Sequence, residues 1–154
     1  MPLTFEQNAY IERHAADTYF SDRLRSSGWH AASEQDRERA LIAATAAVDR
    51  LGFTGSIARY DQPLAWPRLR MRDREGRSIP SNVVPDAVRA ATCEYALHLL
   101  TAPETKPSPA VSRKRVGDLE VQYRAATRDP VPEPVRQLLS PFLAGSPHSV
   151  EIVL

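Results

Sequence analysis

Apolar residues first fall into helical register at Ala15, Ala16, Tyr19, Phe20 and Leu24. They predict an amphipathic helix from near Glu12 to just before Ser26, preceded by a short extended piece at Tyr10 and Ile11. A second stripe, Ala40, Leu41, Ala44, Ala47, Val48 and Leu51, predicts a helix over residues 34–51. Ser33 stands three residues before Asp36, an N-cap arrangement in which hydroxyl and carboxylate satisfy free amides. Gly52 follows where helices commonly stop. A third helix over residues 85–101 opens on Pro85, whose missing N–H costs nothing in a first turn. Its apolar residues (Ala87, Val88, Ala90, Ala91, Tyr95, Leu97, Leu99 and Leu100) surround most of its circumference, which predicts the central, most buried helix. The alanines of the second and third helices let the two backbones approach closely.

Residues 52–84 have no helical period. Pro63-Leu64-Ala65-Trp66-Pro67 reads as a rigid apolar turn. Residues 69–79 alternate in part around Asp73-Arg74-Glu75-Gly76, which predicts a hairpin or excursion. Beyond this the composition shifts, and residues 103–147 hold 8 of the 13 prolines. Within that stretch residues 111–124 read as two short strands turning at Val116-Gly117-Asp118-Leu119, and residues 133–143 as a short helix. Val150-Glu151-Ile152-Val153-Leu154 has strand composition. The expected fold class is mainly α: a small bundle of three main helices plus one short C-terminal helix, with a minor β-hairpin and extended arms.

Composition narrows the function. With 154 residues, 42% apolar and 25% charged, the chain suits one ordinary soluble domain. Lys and Arg number 20 against 19 Asp and Glu, a formal net charge of +1, which disfavours a nucleic-acid binder working by bulk charge. All the cations are Arg except Lys106 and Lys114, and Arg favours planar, bidentate contacts over point charges. The one cysteine, Cys93, lies in an apolar run, where a small buried hydrophobe is the expected role and a reducing compartment the expected setting. No apolar run approaches the ~20 residues of a membrane span, and no signal-peptide pattern opens the chain. His14, His30, His98 and His148 are not spaced as metal ligands, and no glycine-rich phosphate loop or nucleophile elbow occurs. Glu94 and His98 lie one helical turn apart, but with no nucleophile or phosphate cradle beside them they read as a helix-surface pair. No catalysis, cofactor or metal is expected.

The order of several short segments carries a resemblance. These are Ala16-Asp17-Thr18-Tyr19-Phe20, Trp29, the Ala40-Leu41-Ile42-Ala43-Ala44-Thr45 helix, Gln62-Pro63-Leu64-Ala65-Trp66-Pro67-Arg68, the Val88 to Leu97 helix, and Val116-Gly117-Asp118-Leu119-Glu120-Val121. Over roughly residues 10–124 the chain resembles the tailed-phage and prophage family labelled "DnaT-like single-stranded DNA-binding protein", related in plan to head–tail connector adaptors, also called head-completion proteins. The resemblance implies a connector-like helical domain over residues 1–124; the residues beyond it are not covered and read, from their own composition, as a Pro-rich arm over residues 125–154. It also implies a structural protein of the virion neck, assembled in the host cytoplasm. Such a protein docks as a homo-oligomeric, dodecameric ring on the portal protein and contacts a stopper or tail-completion protein. Double-stranded DNA passes through it without sequence specificity, and it meets no membrane. The family label implies the alternative, a single-stranded DNA-binding protein of phage replication. The near-zero net charge, and the lack of a run of aromatics for bases to stack on, weigh against that alternative.

Three groups of residues are candidates for function. Arg68, Arg70, Arg72, Arg74 and Arg77, against Asp73 and Glu75, either line a DNA channel or pair with a neighbouring subunit, or else form a solvated loop. Val150, Ile152, Val153 and Leu154 suit strand addition to the portal or an adjacent subunit. Trp29, Trp66 and Tyr95 are expected core anchors. Trp66 has the alternative role of an interface anchor.

Overall fold

The computed structural model describes residues 1–102, the strand residues 115–116 and 119–120, and residues 131–145. Among these the protein is mainly helical. Its elements are α1 (Arg13–Ser21), α2 (Ser27–Ala31), α3 (Glu34–Asp49), β1 (Ser56–Ile57), β2 (Arg68–Leu69), α4 (Asp86–Thr101), β3 (Arg115–Val116), β4 (Leu119–Glu120), α5 (Glu133–Leu139) and a 3-10 turn (Ser140–Phe142). No helix among the described residues is long and apolar enough to cross a membrane.

The predicted helices are present, with informative differences at their ends. Ser33 caps α3 as expected: its hydroxyl accepts from the Asp36 amide at 3.1 Å and donates to the Asp36 carboxylate at 2.8 Å. The first helix stops at Ser21, short of the expected end. Arg25 takes a left-handed φ of 60°, and the Ser26 hydroxyl donates to the carbonyls of Phe20 and Arg23. These contacts turn the chain into α2, a five-residue helix too short to announce itself by periodicity. The predicted helix over 133–143 breaks into α5 and the 3-10 turn at Pro141, which has no N–H to continue the ladder. Of the two strands expected over residues 111–124, the described residues form a two-stranded antiparallel ladder, Arg115 opposite Glu120 and Val116 opposite Leu119. A second antiparallel pair, β1 with β2, sits where no strands were expected. Beside it, residues 71–79 make the predicted excursion, closed by the Arg72–Ser78 bridge and the Ile79 amide on the Met71 carbonyl at 3.0 Å.

The core forms two clusters joined along α3 and α4. Ile11, Ala16, Phe20, Trp29, Ala40, Leu41, Ala44, Cys93 and Ala96 build the first. Tyr10, Val48, Trp66, Met71, Val84, Val88, Ala91, Val135, Leu139 and Phe142 build the second. Tyr95 is partly buried and packs against both, so it joins the two clusters at their seam. Trp29 and Trp66 are core residues, 0% and 2% exposed. The expected arm over residues 125–154 needs correction over α5 and its 3-10 turn. Val135, Leu139 and Phe142 are buried in the second cluster, and α5 packs along α4. Their apolar periodicity closes a gap over Trp66 and Val88 that the first three helices leave open.

A polar network locks the residue 63–67 turn to the end of α3. The Tyr10 hydroxyl donates to Asp49, whose same oxygen accepts from the Ala65 amide at 2.7 Å. The Trp66 amide donates to the Tyr10 oxygen at 3.3 Å. Burial first, then the Asp49 carboxylate, push the Tyr10 phenol well above its ordinary pKa, so it stays a donor.

Cys93 is fully buried, and burial pushes its thiol up to about 12. It is therefore expected to be silent to a thiol-reactive dye near pH ~8 in the native protein and to react at once on unfolding, where the thiol regains its usual acidity. Between the ordinary value of 9.0 and about 12 the unfolded thiol ionises while the native one does not. Its contribution to stability is thus complete below that window and is lost as pH rises through it. An alkaline series of denaturant melts on Cys93→Ala beside the native chain checks the sign.

Candidate functional site

The arginines between β2 and α4 divide by what they touch. Arg68, at the start of β2, is buried. Its Nε donates to the Thr54 carbonyl at 2.9 Å, and its Nη atoms donate to Ala65 at 3.0 Å and Gly55 at 3.2 Å. It therefore fastens the 54–55 and 65–68 segments together and leaves the set of exposed channel or contact arginines to which it was assigned. Arg70, Arg72, Arg74 and Arg77 are exposed. Arg77 pairs with Asp73 at 2.7 Å, and Arg72 donates to the Gly76 carbonyl at 2.7 Å. Asp73 also accepts from the amides of Arg77 and Glu75, and the Arg77 amide first, then the Arg77 guanidinium and the Glu75 amide, hold its carboxyl below the usual carboxylate range. Arg74 reaches away from the loop to α5, donating to the Gln137 carbonyl at 3.0 Å and the Ser140 hydroxyl at 3.4 Å.

That reach spans the mouth of a cleft of about 590 Å³ between α1, α4, the 73–74 loop and α5. Its apolar wall is Ala87, Pro134, Leu138, Pro141 and Phe142. Its floor holds Glu94, which is 8% exposed and lies on the face of α4 that meets α1. Arg23 Nε stands 2.7 Å from one carboxylate oxygen of Glu94, Arg23 Nη2 donates to the other at 2.8 Å, and the Tyr19 hydroxyl donates at 2.6 Å. Burial, then the adjoining carboxylate, push the Tyr19 phenol above its ordinary range and keep it protonated. The expected surface pair of Glu94 with His98 is thus corrected. His98 is exposed, and Glu94 turns inward to partners on α1 and on the turn after it. The sequence carried one signal for this: Glu94 is the sole Asp, Glu, Lys or Arg between Arg89 and Glu104, set in an apolar run. A lone carboxylate there needs a cation to stay buried.

A second polar network fixes α2 against α1 and α3. The indole Nε1 of Trp29 donates to Asp17 at 2.9 Å, and Arg37 donates to the same carboxylate oxygen at 3.2 Å and to the Trp29 carbonyl at 2.9 Å. Three large apolar side chains among the described residues stand out from the surface: Met1, Tyr60 on the loop between β1 and β2, and Leu24 on the turn between α1 and α2, 99%, 100% and 89% exposed. Val150, Ile152, Val153 and Leu154 lie outside the described residues.

A small, mainly helical, two-cluster domain with an ion-paired cleft at one side is the class that fold and geometry define. Over residues 3–154 the chain matches the family described as "Putative DnaT-like ssDNA binding protein", and it belongs to that family. The match takes in the C-terminal region beyond residue 124 as well as the segments on which the resemblance rested. No curated protein and no solved structure matches the chain.

Proposed function

We propose that the protein is a non-catalytic adaptor of a tailed-phage neck, which assembles as a homo-oligomeric ring on the portal and links the head to the stopper or tail while DNA passes through. The observation that supports this reading is the use made of its arginines. Among the described residues Arg13, Arg23, Arg37, Arg39 and Arg77 face carboxylates, and Arg68, Arg72 and Arg74 face carbonyls of the chain itself. Tyr60 is the sole exposed Phe, Tyr or Trp among the described residues. A single-strand binder works through a groove of uncommitted cations interleaved with several stacking rings. A ring subunit needs a stiff scaffold and protruding contact residues, for which Leu24 and Tyr60 are suited. The dodecameric stoichiometry, the location in the virion neck and the portal and stopper partners follow from the resemblance to connector adaptors.

The second reading, single-stranded DNA binding in phage replication, is favoured by the description of the family to which the chain belongs. Fluorescence titration of a labelled single strand over a salt series separates the two. The adaptor reading expects no saturable binding at physiological salt. Micromolar affinity with a log–log salt slope of several units would replace it with the second. In parallel, mass spectrometry and imaging of purified particles are expected to find the subunit at the portal vertex, and its absence from mature virions overturns the adaptor reading.

A further inference from the structure

The loop between β1 and β2 carries a stiff tip. The Arg59 amide donates to the Gln62 side-chain oxygen at 2.8 Å, and the Gln62 amide donates back to the Arg59 carbonyl at 3.4 Å. The Gln62 side-chain nitrogen donates to the carbonyls of Leu64 at 2.7 Å and Pro67 at 3.0 Å, which ties the turn to the apolar segment after it. Tyr60 and Asp61 stand at the apex. Tyr60 is fully exposed, so its ring packs on no described part of its own subunit. Among the described residues Asp61 meets Arg59 alone, at 3.9 Å, and a pair so exposed contributes little. A ring and a carboxylate are thus held out to solvent on a turn with little freedom left to lose on binding.

The cleft beside Glu94 has the complementary chemistry. Within it Glu94 is matched by Arg23, and Asp73 by Arg77 from outside. Among the described residues Arg74 meets neutral acceptors alone, the Gln137 carbonyl and the Ser140 hydroxyl. One uncompensated guanidinium therefore stands at the mouth, beside an apolar wall that includes Pro134, Leu138 and Phe142. A guanidinium fork grips a carboxylate with paired N–H donors, and an aromatic side chain seated on such a wall buries about 150–250 Å². The volume of about 590 Å³ admits both groups. Tyr60, being fully exposed, does not reach the cleft of its own subunit.

We propose that the Tyr60–Asp61 tip of one subunit seats in this cleft of a second copy, the ring against Leu138 and Phe142 and the carboxylate on Arg74. Tip and cleft are different surfaces, so the contact is head to tail. It repeats from copy to copy and closes into a ring where its rotation allows. The inference rests on the homo-oligomeric part of the adaptor reading and names its lateral contact. Imaging of particles tests the neck location separately, so a subunit found at the portal without this contact sinks the inference alone.

Sedimentation velocity of the full chain over a concentration series tests the contact by charge exchange. The native chain is expected to self-associate reversibly. Asp61→Arg and Arg74→Asp each set like charges against one another and are expected to weaken association at least about tenfold. The double variant restores opposite charges and is expected to regain the association. An equimolar mixture of the two single variants is expected to regain it too, because each tip then finds a matching cleft on the other variant. Tyr60→Ala is expected to weaken association with the charges intact. Asp61 and Arg74 are exposed, and unchanged circular dichroism and melting of the variants keep the comparison about docking. A native chain that stays monomeric at about 1 mM, or a double variant as weak as the single ones, overturns the proposal. An effect from only one of the two reversals overturns it as well, because tip or cleft then has another partner.

Discussion

Trp66→Ala is expected to remove about 4 kcal/mol of stability, the range for deleting a buried large aromatic side chain. Trp66 is 2% exposed, and its ring meets Phe53 and Phe142 edge-on, with centroids at 5.6 and 5.2 Å. Phe142 belongs to the 3-10 turn after α5, Phe53 follows α3, and the Trp66 amide hangs on Tyr10. Deleting the indole therefore unsupports three separate stretches of chain, and little backbone is placed to collapse into the space. Its Nε1 has no acceptor among the described residues, so the phenyl ring of Trp66→Phe removes an unpartnered donor along with area. That variant is expected to lose less than half as much. Urea unfolding followed by far-ultraviolet circular dichroism measures both. If Trp66 were an interface anchor, its alternative sequence reading, Trp66→Ala would leave the midpoint where it was.

Arg23→Ala is expected to cost about 3 kcal/mol, the low end of the range for stranding one partner of a buried ion pair. Glu94 sets the magnitude, because its side chain is 7% exposed and would keep only the Tyr19 hydroxyl. Arg23, at 41% exposure, rehydrates readily if Glu94 is the residue removed, so Glu94→Leu is expected to cost less than Arg23→Ala. The double variant Arg23→Met with Glu94→Leu removes both charges at similar volume and is expected to recover most of the loss. A double-mutant cycle in urea reads the coupling. A cost below about 1 kcal/mol for Arg23→Ala would mark the contact as an ordinary surface pair.

The helices were legible because their apolar spacing is long and regular. Ala40 to Leu51 and Ala87 to Leu100 gave α3 and α4 to within two residues at each end. The cap at Ser33 was legible for the same local reason. What escaped was set by tertiary contact. α2 is too short to show a period, and Trp29 is held in it by Asp17 and Arg37 from two other helices. The strands β1 and β2, two residues each, pair across ten intervening positions and depend on Arg68 gathering carbonyls from both sides. In the sequence Arg68 is one of five closely spaced arginines, and nothing local distinguishes the one that turns inward. The cleft was invisible in the same way. Its acid was read against His98 at helical spacing, while its cation lies 71 positions earlier in the chain. That α5 belongs to the core was obscured by its prolines, which resemble those of an arm, although Val135, Leu139 and Phe142 carry a clear apolar rhythm.

The two halves of the core are completed at different moments of synthesis. Among the described residues the cluster around Trp29 and Phe20 draws on nothing beyond Leu100, so it can close while later residues are still inside the ribosome. The cluster around Trp66 waits for Val135, Leu139 and Phe142. Until those emerge, Val84, Val88 and Met71 face solvent or a chaperone, and a nascent or prematurely terminated chain carries a visible greasy face. Quality control can read that face. Translation to at least residue 142 is thus a condition for covering that face.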